Sequence, residues 1–422
     1  MLILVLNSGS SSVKYDIYSV DSDGQTPLAG GVVDRIGSSD SSITHTVSGE
    51  EALHKRIEIP HHQDALDRVF DIISQKPTGH RVVPEIDAVG HRVVHGGERF
   101  KKPVLVDSRV KKAIQAYSKY APLHNPANLN GIYACDRSLP DVPQVAVFDT
   151  AFHSQMPPEA FLYGIPLSYY ETEGIRKYGF HGSSHQYVSE VATGLLREKG
   201  RIGDPLKIVT CHLGNGSSVA AVSGEHSIDT SMGYTPLDGL IMGTRCGNID
   251  PAVALHLAHR QGLSQADDIL YKDSGFKGLT GFSDFRDLLA IHANAWEKVH
   301  DSRIQEMTEA DKDLLQGKVE TALKMFVRSI KKTIGAYGAI LGGLDALVFT
   351  AGIGENCPEV RQWVCEDMGW MGISIDSSAN NENNTVISPP DSQVLSLVIP
   401  TNEEVVIARE TYRVVAGLSM ST

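Results

Sequence analysis

Apolar and polar positions alternate along this chain in strand-sized and helix-sized segments, and two distant segments carry nearly the same pattern. Leu2-Ile3-Leu4-Val5-Leu6 runs into Asn7-Ser8-Gly9-Ser10-Ser11-Ser12-Val13 and on to Lys14-Tyr15-Asp16-Ile17-Tyr18. Ile208-Val209-Thr210-Cys211-His212-Leu213 runs into Gly214-Asn215-Gly216-Ser217-Ser218-Val219 and on to Ala220-Ala221-Val222. Each is an apolar run, a small-residue loop ending Ser-Ser-Val, and a second β-prone run. That pattern predicts two strands joined by a tight turn. Helical spacing predicts helices over Asp64–Ser74, Val110–Tyr120, Pro126–Asp136, Ser184–Arg197, Pro251–Arg260 and about Lys312–Leu341. Ile86–Val94, Gln144–Phe148 and Ala346–Thr350 read as buried strands. Ala351–Asn356 reads as a loop, His292–Glu309 as an exposed, less regular elaboration, and Asp376–Asn384 as a surface loop. Strands and helices mixed in this order predict an α/β class.

Turns made of Gly and Ser let backbone N–H groups approach an anion, because little side-chain bulk intervenes. Two matched turns suggest two similar halves, each offering a phosphate-gripping hairpin to one cleft. Neither turn is a Walker-type loop, since G-x-x-x-x-G-K-[ST] occurs at neither place. Neither opens a helix, as a dinucleotide fingerprint would.

The length of 422 residues suits two domains or three. A net charge of −13 argues against a nucleic-acid or anionic-membrane surface, so a phosphate ligand must be held by local cations, amides and a metal. The longest apolar runs fall far short of the roughly 20 residues that cross a bilayer. The N-terminus lacks the basic lead of a signal peptide. Five cysteines form no C-x-x-C pair and are odd in number, which fits a reduced cytoplasmic compartment. His181 and His185 are four apart, but Gly-Ser-Ser between them lacks the Glu of a zincin helix.

Polar clusters stand at the ends of apolar runs, where open α/β sheets present ligand residues. They are His91-Arg92-Val93-Val94-His95-Gly96-Gly97, Phe148-Asp149-Thr150-Ala151-Phe152-His153, Phe180-His181-Gly182-Ser183-Ser184-His185, and Gly243-Thr244-Arg245-Cys246-Gly247-Asn248-Ile249-Asp250-Pro251. A lone loop arginine is usually a surface ion-pair partner. Two arginines, two histidines and an aspartate beside glycine-rich turns are instead the set that phosphoryl transfer onto a small anion requires. Arg clamps a carboxylate with two N–H bonds. A second Arg and a His can neutralise the phosphoryl oxygens in flight.

These motifs, with Leu6–Lys14, Gly179–Gly182, His212–Gly216, Phe349–Asn356 and Pro400-Thr401-Asn402-Glu403-Glu404, resemble those of the acetate kinase family, in family order along the whole chain. Two positions depart from it: Cys246 where the family usually has Ser, and Asn248 where it usually has Asp. His292–Glu309 also looks longer than the family minimum. The resemblance implies the superfamily of acetate and sugar kinases, heat-shock chaperone ATPases and actin. Its architecture is two ribonuclease-H-like (actin-like ATPase) domains with ATP in the inter-domain cleft. The implied domains are 1–150 plus about 403–422, discontinuous, and 151–402, which binds the nucleotide.

By resemblance, Asn7 and Glu403 are the Mg²⁺-site residues, with Mn²⁺ as a second candidate. Lys14, His212, Leu213, Gly214, Asn215, Gly216, Asp284, Phe285, Arg286, Gly352, Ile353, Gly354, Glu355 and Asn356 are the ATP/ADP contacts. Arg92 binds the substrate carboxylate, while Val94, Leu123, Phe180 and Pro236 line a methyl pocket beside His124. His181 and Arg245 stabilise the transition state, and Asp149 is the acid/base. The implied reaction is reversible, direct in-line transfer from ATP to acetate, giving acetyl phosphate and ADP, in a cytoplasmic homodimer. Acetate is already ionised at neutral pH, so Asp149 has no proton to remove; it is expected to orient an arginine or metal-bound water. The alternatives are a propionate kinase, an actin- or chaperone-like ATP switch without catalysis, and, third, a sugar kinase.

Overall fold

Leu2–Ser8 (β1) and Val13–Val20 (β2) form an antiparallel hairpin, with Asn7 opposite Lys14 and Ser8 opposite Val13. Leu4, Leu6, Val13, Tyr15 and Ile17 pack into one core cluster. Antiparallel strands continue through Gln25–Asp34 (β3), Ser42–Val47 (β4) and Leu53–Arg56 (β5). On the other side of β1, Ala88–Val93 (β6) pairs parallel to it. Val104–Leu105 (β7) is an edge strand, and Gln144–Phe148 (β8) pairs parallel to β6. Every residue of β8 is buried, as expected for a parallel strand covered on both faces.

This computed structural model describes residues 1–9, 11–48, 50, 52–74, 86–122, 124–201 and 203–419. The chain divides into two units, Met1–Ser154 with the segment from Asn402 onward, and Gln155–Thr401. The helix Glu403–Ser419 packs on β1, β6 and β8 of the first unit. A Cβ added to Gly90 would lie 2.4 Å from Thr411 Oγ1 and 2.7 Å from Ile407 Cγ2, so β6 meets that helix backbone-close. The next residue, His91, faces the opposite way, toward the helix Asn125–Ser138, because strand side chains alternate.

In the second unit, Lys207–Leu213 (β9) and Ser217–Ser223 (β10) form the second hairpin. His226–Thr230 (β11) extends it antiparallel, and Ala346–Thr350 (β12) and Leu395–Val398 (β13) add parallel strands on the far side of β9. The sheet order is β11-β10-β9-β12-β13. Without β4, β5 and β7, the first sheet reads β3-β2-β1-β6-β8, the same succession with the same senses. Two copies of this ribonuclease-H-like order account for the near-repeat in the sequence. The helix Glu309–Leu341 covers the second sheet, burying Leu315, Val319, Phe326, Ile330, Ile334, Tyr337 and Leu341 at helical spacing. A Thr308–Asp311 capping box starts it, and Gly342 at φ 66° ends it.

The remaining expected helices are present as His62–Ser74, Ser108–Ala116, Asn125–Ser138, Gly182–Glu198 and Pro251–Gln261. Three local readings need correction. Ala351–Asn356 is a short helix rather than a loop; Glu355 Oε1 accepts from the Ala351 N–H at 2.8 Å and closes its first turn. Asp376–Asn384 contains the helix Ser377–Asn381, and its Asn380 is buried against Arg361. His292–Glu309 is not wholly exposed, because Ile304 inserts into the second unit's core.

Candidate functional site

The first unit gathers a charged cluster at the ends of β1, β6 and β8. Arg92 leaves β6 and donates from Nε to Asp149 Oδ1 at 2.9 Å and from Nη2 to Asp149 Oδ2 at 2.8 Å. Its Nη1 lies 3.4 Å from Asn7 Oδ1 and 3.6 Å from Glu403 Oε2. Lys14 pairs with Glu404 at 2.7 Å. Burial works against the charge on Arg92, but Asp149 and Glu403 outweigh it and raise its pKa. Burial lifts the Glu403 carboxyl above its ordinary range; Arg92 pulls against this, while Asp149 and Glu404 add to it.

Two asparagines fix the loops around this cluster. Asn128 donates to the Ser8 carbonyl at 2.8 Å and accepts from the Val94 N–H at 3.1 Å. Asn125 accepts from the His95 N–H and donates to the His95 carbonyl. Both belong to the helix Asn125–Ser138, at whose N-cap His124 stands. Sequence reading placed no role on either; the only signal was their position at a helix start beside Pro126.

Whether Mg²⁺ suits the cluster can be judged from its donors. Asn7 Oδ1, Asp149 and Glu403 are hard oxygen donors around one guanidinium. Three carboxylates (Asp149, Glu403, Glu404) face two cations (Arg92, Lys14), leaving a negative excess that a hard divalent ion would relieve. Among the described residues, no group of three or more His, Cys, Asp or Glu side chains is placed to hold a metal ion.

In the second unit, His181 caps the helix Gly182–Glu198 with a left-handed backbone, φ 56° and ψ 29°. Such a conformation is costly outside glycine and needs surrounding support. The support is dense: His181 Nδ1 is 2.9 Å from Ser218 Oγ, and its ring stacks on His212 at 4.1 Å. His185 bonds Thr210 Oγ1 and Ser218 Oγ at 2.7 and 2.8 Å, so both its nitrogens meet hydroxyls. His212 Nδ1 meets Ser184 Oγ at 2.7 Å. A Cβ built on Gly216 would stand 3.5 Å from both His181 Cε1 and Arg245 Nη2, so both side chains lie at contact distance from the hairpin turn. Arg245 Nη1 donates to the Pro236 carbonyl at 2.9 Å. Burial lowers its pKa, and among the described residues no carboxylate pairs with it.

A cleft of about 920 Å³ opens beside this turn, a size that suits a small-molecule ligand. Of the expected ATP contacts, Gly214, Asn215, Asp284, Phe285, Arg286, Gly352, Ile353 and Asn356 line it. Gly243 also lines it, packed so closely on Asn215 that an added Cβ would collide with Asn215 Oδ1. Asp284 caps the helix Phe285–His292 and holds Arg286 two-pronged. Leu213 is buried in the core instead. Gly354 is buried in its helix, and Glu355 bonds the N–H groups of Ala351 and Thr401. Phe180 and Val94 are buried, Pro236 half-buried, and Leu123 lies outside the described residues. At the two departures, Cys246 Sγ donates to the Gly247 carbonyl and Asn248 Oδ1 accepts from the Gly239 N–H at 2.7 Å.

The shared strand order of the two sheets, with a glycine-walled cleft beside one of them, defines an actin-like ATPase fold. The chain belongs to the acetokinase family, whose profile matches residues 2–409. It is 48% identical to an acetate kinase of Thermoanaerobacter pseudethanolicus, covering 99% of this chain and 100% of that one. It is 47% identical to an acetate kinase of Thermotoga maritima, over 98% and 99%. Among solved structures, an acetate kinase of Porphyromonas gingivalis matches with TM-score 0.83 at 38% identity, covering 98% of this chain and 99% of that one. A propionate kinase of Francisella tularensis matches with TM-score 0.84 at 36% identity and the same coverage. No helix among the described residues is long and apolar enough to cross a membrane.

Proposed function

We propose that the chain catalyses reversible transfer of the terminal phosphoryl group of ATP to acetate, giving acetyl phosphate and ADP. An acetate oxygen bonds to the γ-phosphorus as the bond from that phosphorus to the bridging β–γ oxygen breaks, in line. The observation that carries the reading is the meeting of His181 and Arg245 at Gly216, where, among the described residues, no carboxylate neutralises Arg245. Full-length kinship with acetate kinases supports the choice of acceptor.

Arg92 binds the acetate carboxylate through the edge that Asp149 leaves open, and Asp149 orients Arg92 rather than moving a proton. Val94, Leu123, Phe180 and Pro236 surround the methyl group beside His124. His181 and Arg245 stabilise the charge on the transferring group. Lys14, His212, Gly214, Asn215, Gly216, Asp284, Phe285, Arg286, Gly352, Ile353 and Asn356 bind ATP, while Leu213, Gly354 and Glu355 hold the shape of that wall from behind. Mg²⁺, when bound, neutralises the β- and γ-phosphates; Asn7 and Glu403 would hold it. The family resemblance further supports a cytoplasmic homodimer.

A hydroxylamine trap tests the reaction. Acetate plus ATP should yield acetohydroxamate, and its absence would favour the ATP-switch alternative. The kinship with a propionate kinase keeps a second acceptor in view. One methylene discriminates by only about 1–3 kcal/mol, and Val94 should crowd a longer tail. The ratio of kcat/KM for the two acids decides between them.

A further inference from the structure

The segment His292–Glu309, set aside in the sequence as an elaboration, supplies Ala293, Ala295, Lys298 and His300 to the wall of the 920 Å³ cleft. His300 is held in a defined orientation. The buried Asp287 accepts at a single oxygen, Oδ1, from both the backbone N–H and the ring Nδ1 of His300, each at 2.9 Å. A carboxylate can only accept, so Nδ1 carries a proton and Nε2 is the nitrogen left to accept. The side chain is 67% exposed, and among the described residues Nε2 has no partner. Leu289, Ala290, Ala293 and Ala295 give the same cleft apolar surface suited to a flat base.

We propose that His300 selects the base: its Nε2 accepts a hydrogen bond from an exocyclic 6-amino group, so the cleft favours adenine nucleotides over 6-oxopurine nucleotides. A 6-oxo group would set one acceptor against another and leave both unpaired. The inference rests on reading this cleft as the nucleotide site, and it adds a residue outside the motifs that define the family.

Calorimetric titration of the full chain with ADP and with IDP tests this, and needs no acyl acceptor. The parent should bind ADP about three- to tenfold more tightly than IDP, the range of one neutral hydrogen bond. His300→Phe should bring that ratio to about one, whereas His300→Gln, which keeps a carbonyl acceptor, should retain part of the preference. Equal binding by the parent, or a ratio unchanged in His300→Phe, overturns the role of His300 while leaving acetate phosphorylation untouched. Binding of neither nucleotide overturns the nucleotide reading of the cleft and this proposal with it. Hydroxamate formation, measured separately, reports on the acceptor alone.

Discussion

Arg92 and Asp149 face each other in a two-pronged pair, with Nε and Nη2 each meeting one carboxylate oxygen at 2.9 and 2.8 Å. The Asp149 side chain is 2% exposed and that of Arg92 18%. Removing one partner of such a buried pair strands the other charge. Arg92→Ala should therefore destabilise the fold by about 3–5 kcal/mol, besides raising the KM for acetate steeply. Chemical denaturation checks the first effect and initial rates the second. Unchanged acetate affinity in a folded variant would remove Arg92 from the substrate.

Asp149→Asn separates orientation from proton transfer. Acetate titrates near pH ~4 and arrives ionised, so the variant should lose about 10- to 100-fold in kcat/KM through a loosened Arg92, without changing the shape of the pH–rate profile. Disappearance of a carboxyl titration step in the variant would instead make Asp149 a general base.

Among the described residues, Arg245 makes neutral contacts alone, to the Pro236 carbonyl and Met242 sulfur, and so is electrostatically open to an anion. Arg245→Ala should lower kcat by about 10²–10³, the usual loss for one oxyanion-type stabiliser. A variant retaining most of its turnover would rule that role out.

Asp16 lies beside Lys14 and Gly30, and burial pushes its carboxyl from 3.8 up to about 7, with Lys14 pulling it down and Glu404 adding to the rise. Because the folded state holds the proton more tightly, the parent loses stability as pH rises from about 4 to about 7. Asp16→Asn is neutral throughout and should gain on the parent across that interval. Parallel unfolding curves at pH 4 and pH 8 would show it; a constant difference would refute it.

Gly90→Ala places a methyl where Thr411 Oγ1 and Ile407 Cγ2 already stand. Overpacking of this kind costs about 1–3 kcal/mol, so the variant should melt several degrees lower. An unchanged Tm would mean that the helix can shift away freely.

The hairpins and buried strands were legible because period-2 apolar runs bounded by Gly and Ser have few competing readings. Gln144–Phe148 and Ala346–Thr350 match their sequence limits. The strands of residues 25–56 were not read, since β5 is wholly exposed and β3 mostly exposed or half-buried without alternation, and such strands lack an apolar period to find. At Ala351–Asn356, two glycines masked a helix that a distant tertiary bond from Thr401 to Glu355 helps to hold. The motif residues of the candidate site were visible as types at strand ends. What sequence could not supply was their partnering: Asn128 bridging Ser8 and Val94, Ser218 between two histidines, or His300 oriented by Asp287. Those are meetings of residues far apart in the chain, and local patterning carries no record of them.

The helix Glu403–Ser419 has a bearing on how the molecule is made. It covers β1, β6 and β8, yet it leaves the ribosome only after the whole of Gln155–Thr401. The strands synthesised first must therefore wait with an uncovered apolar face while the second unit, which owns all of its strands, is completed. Nascent-chain folding should run against the order of translation, and arrest before residue 403 should leave the early half open to protease or chaperone.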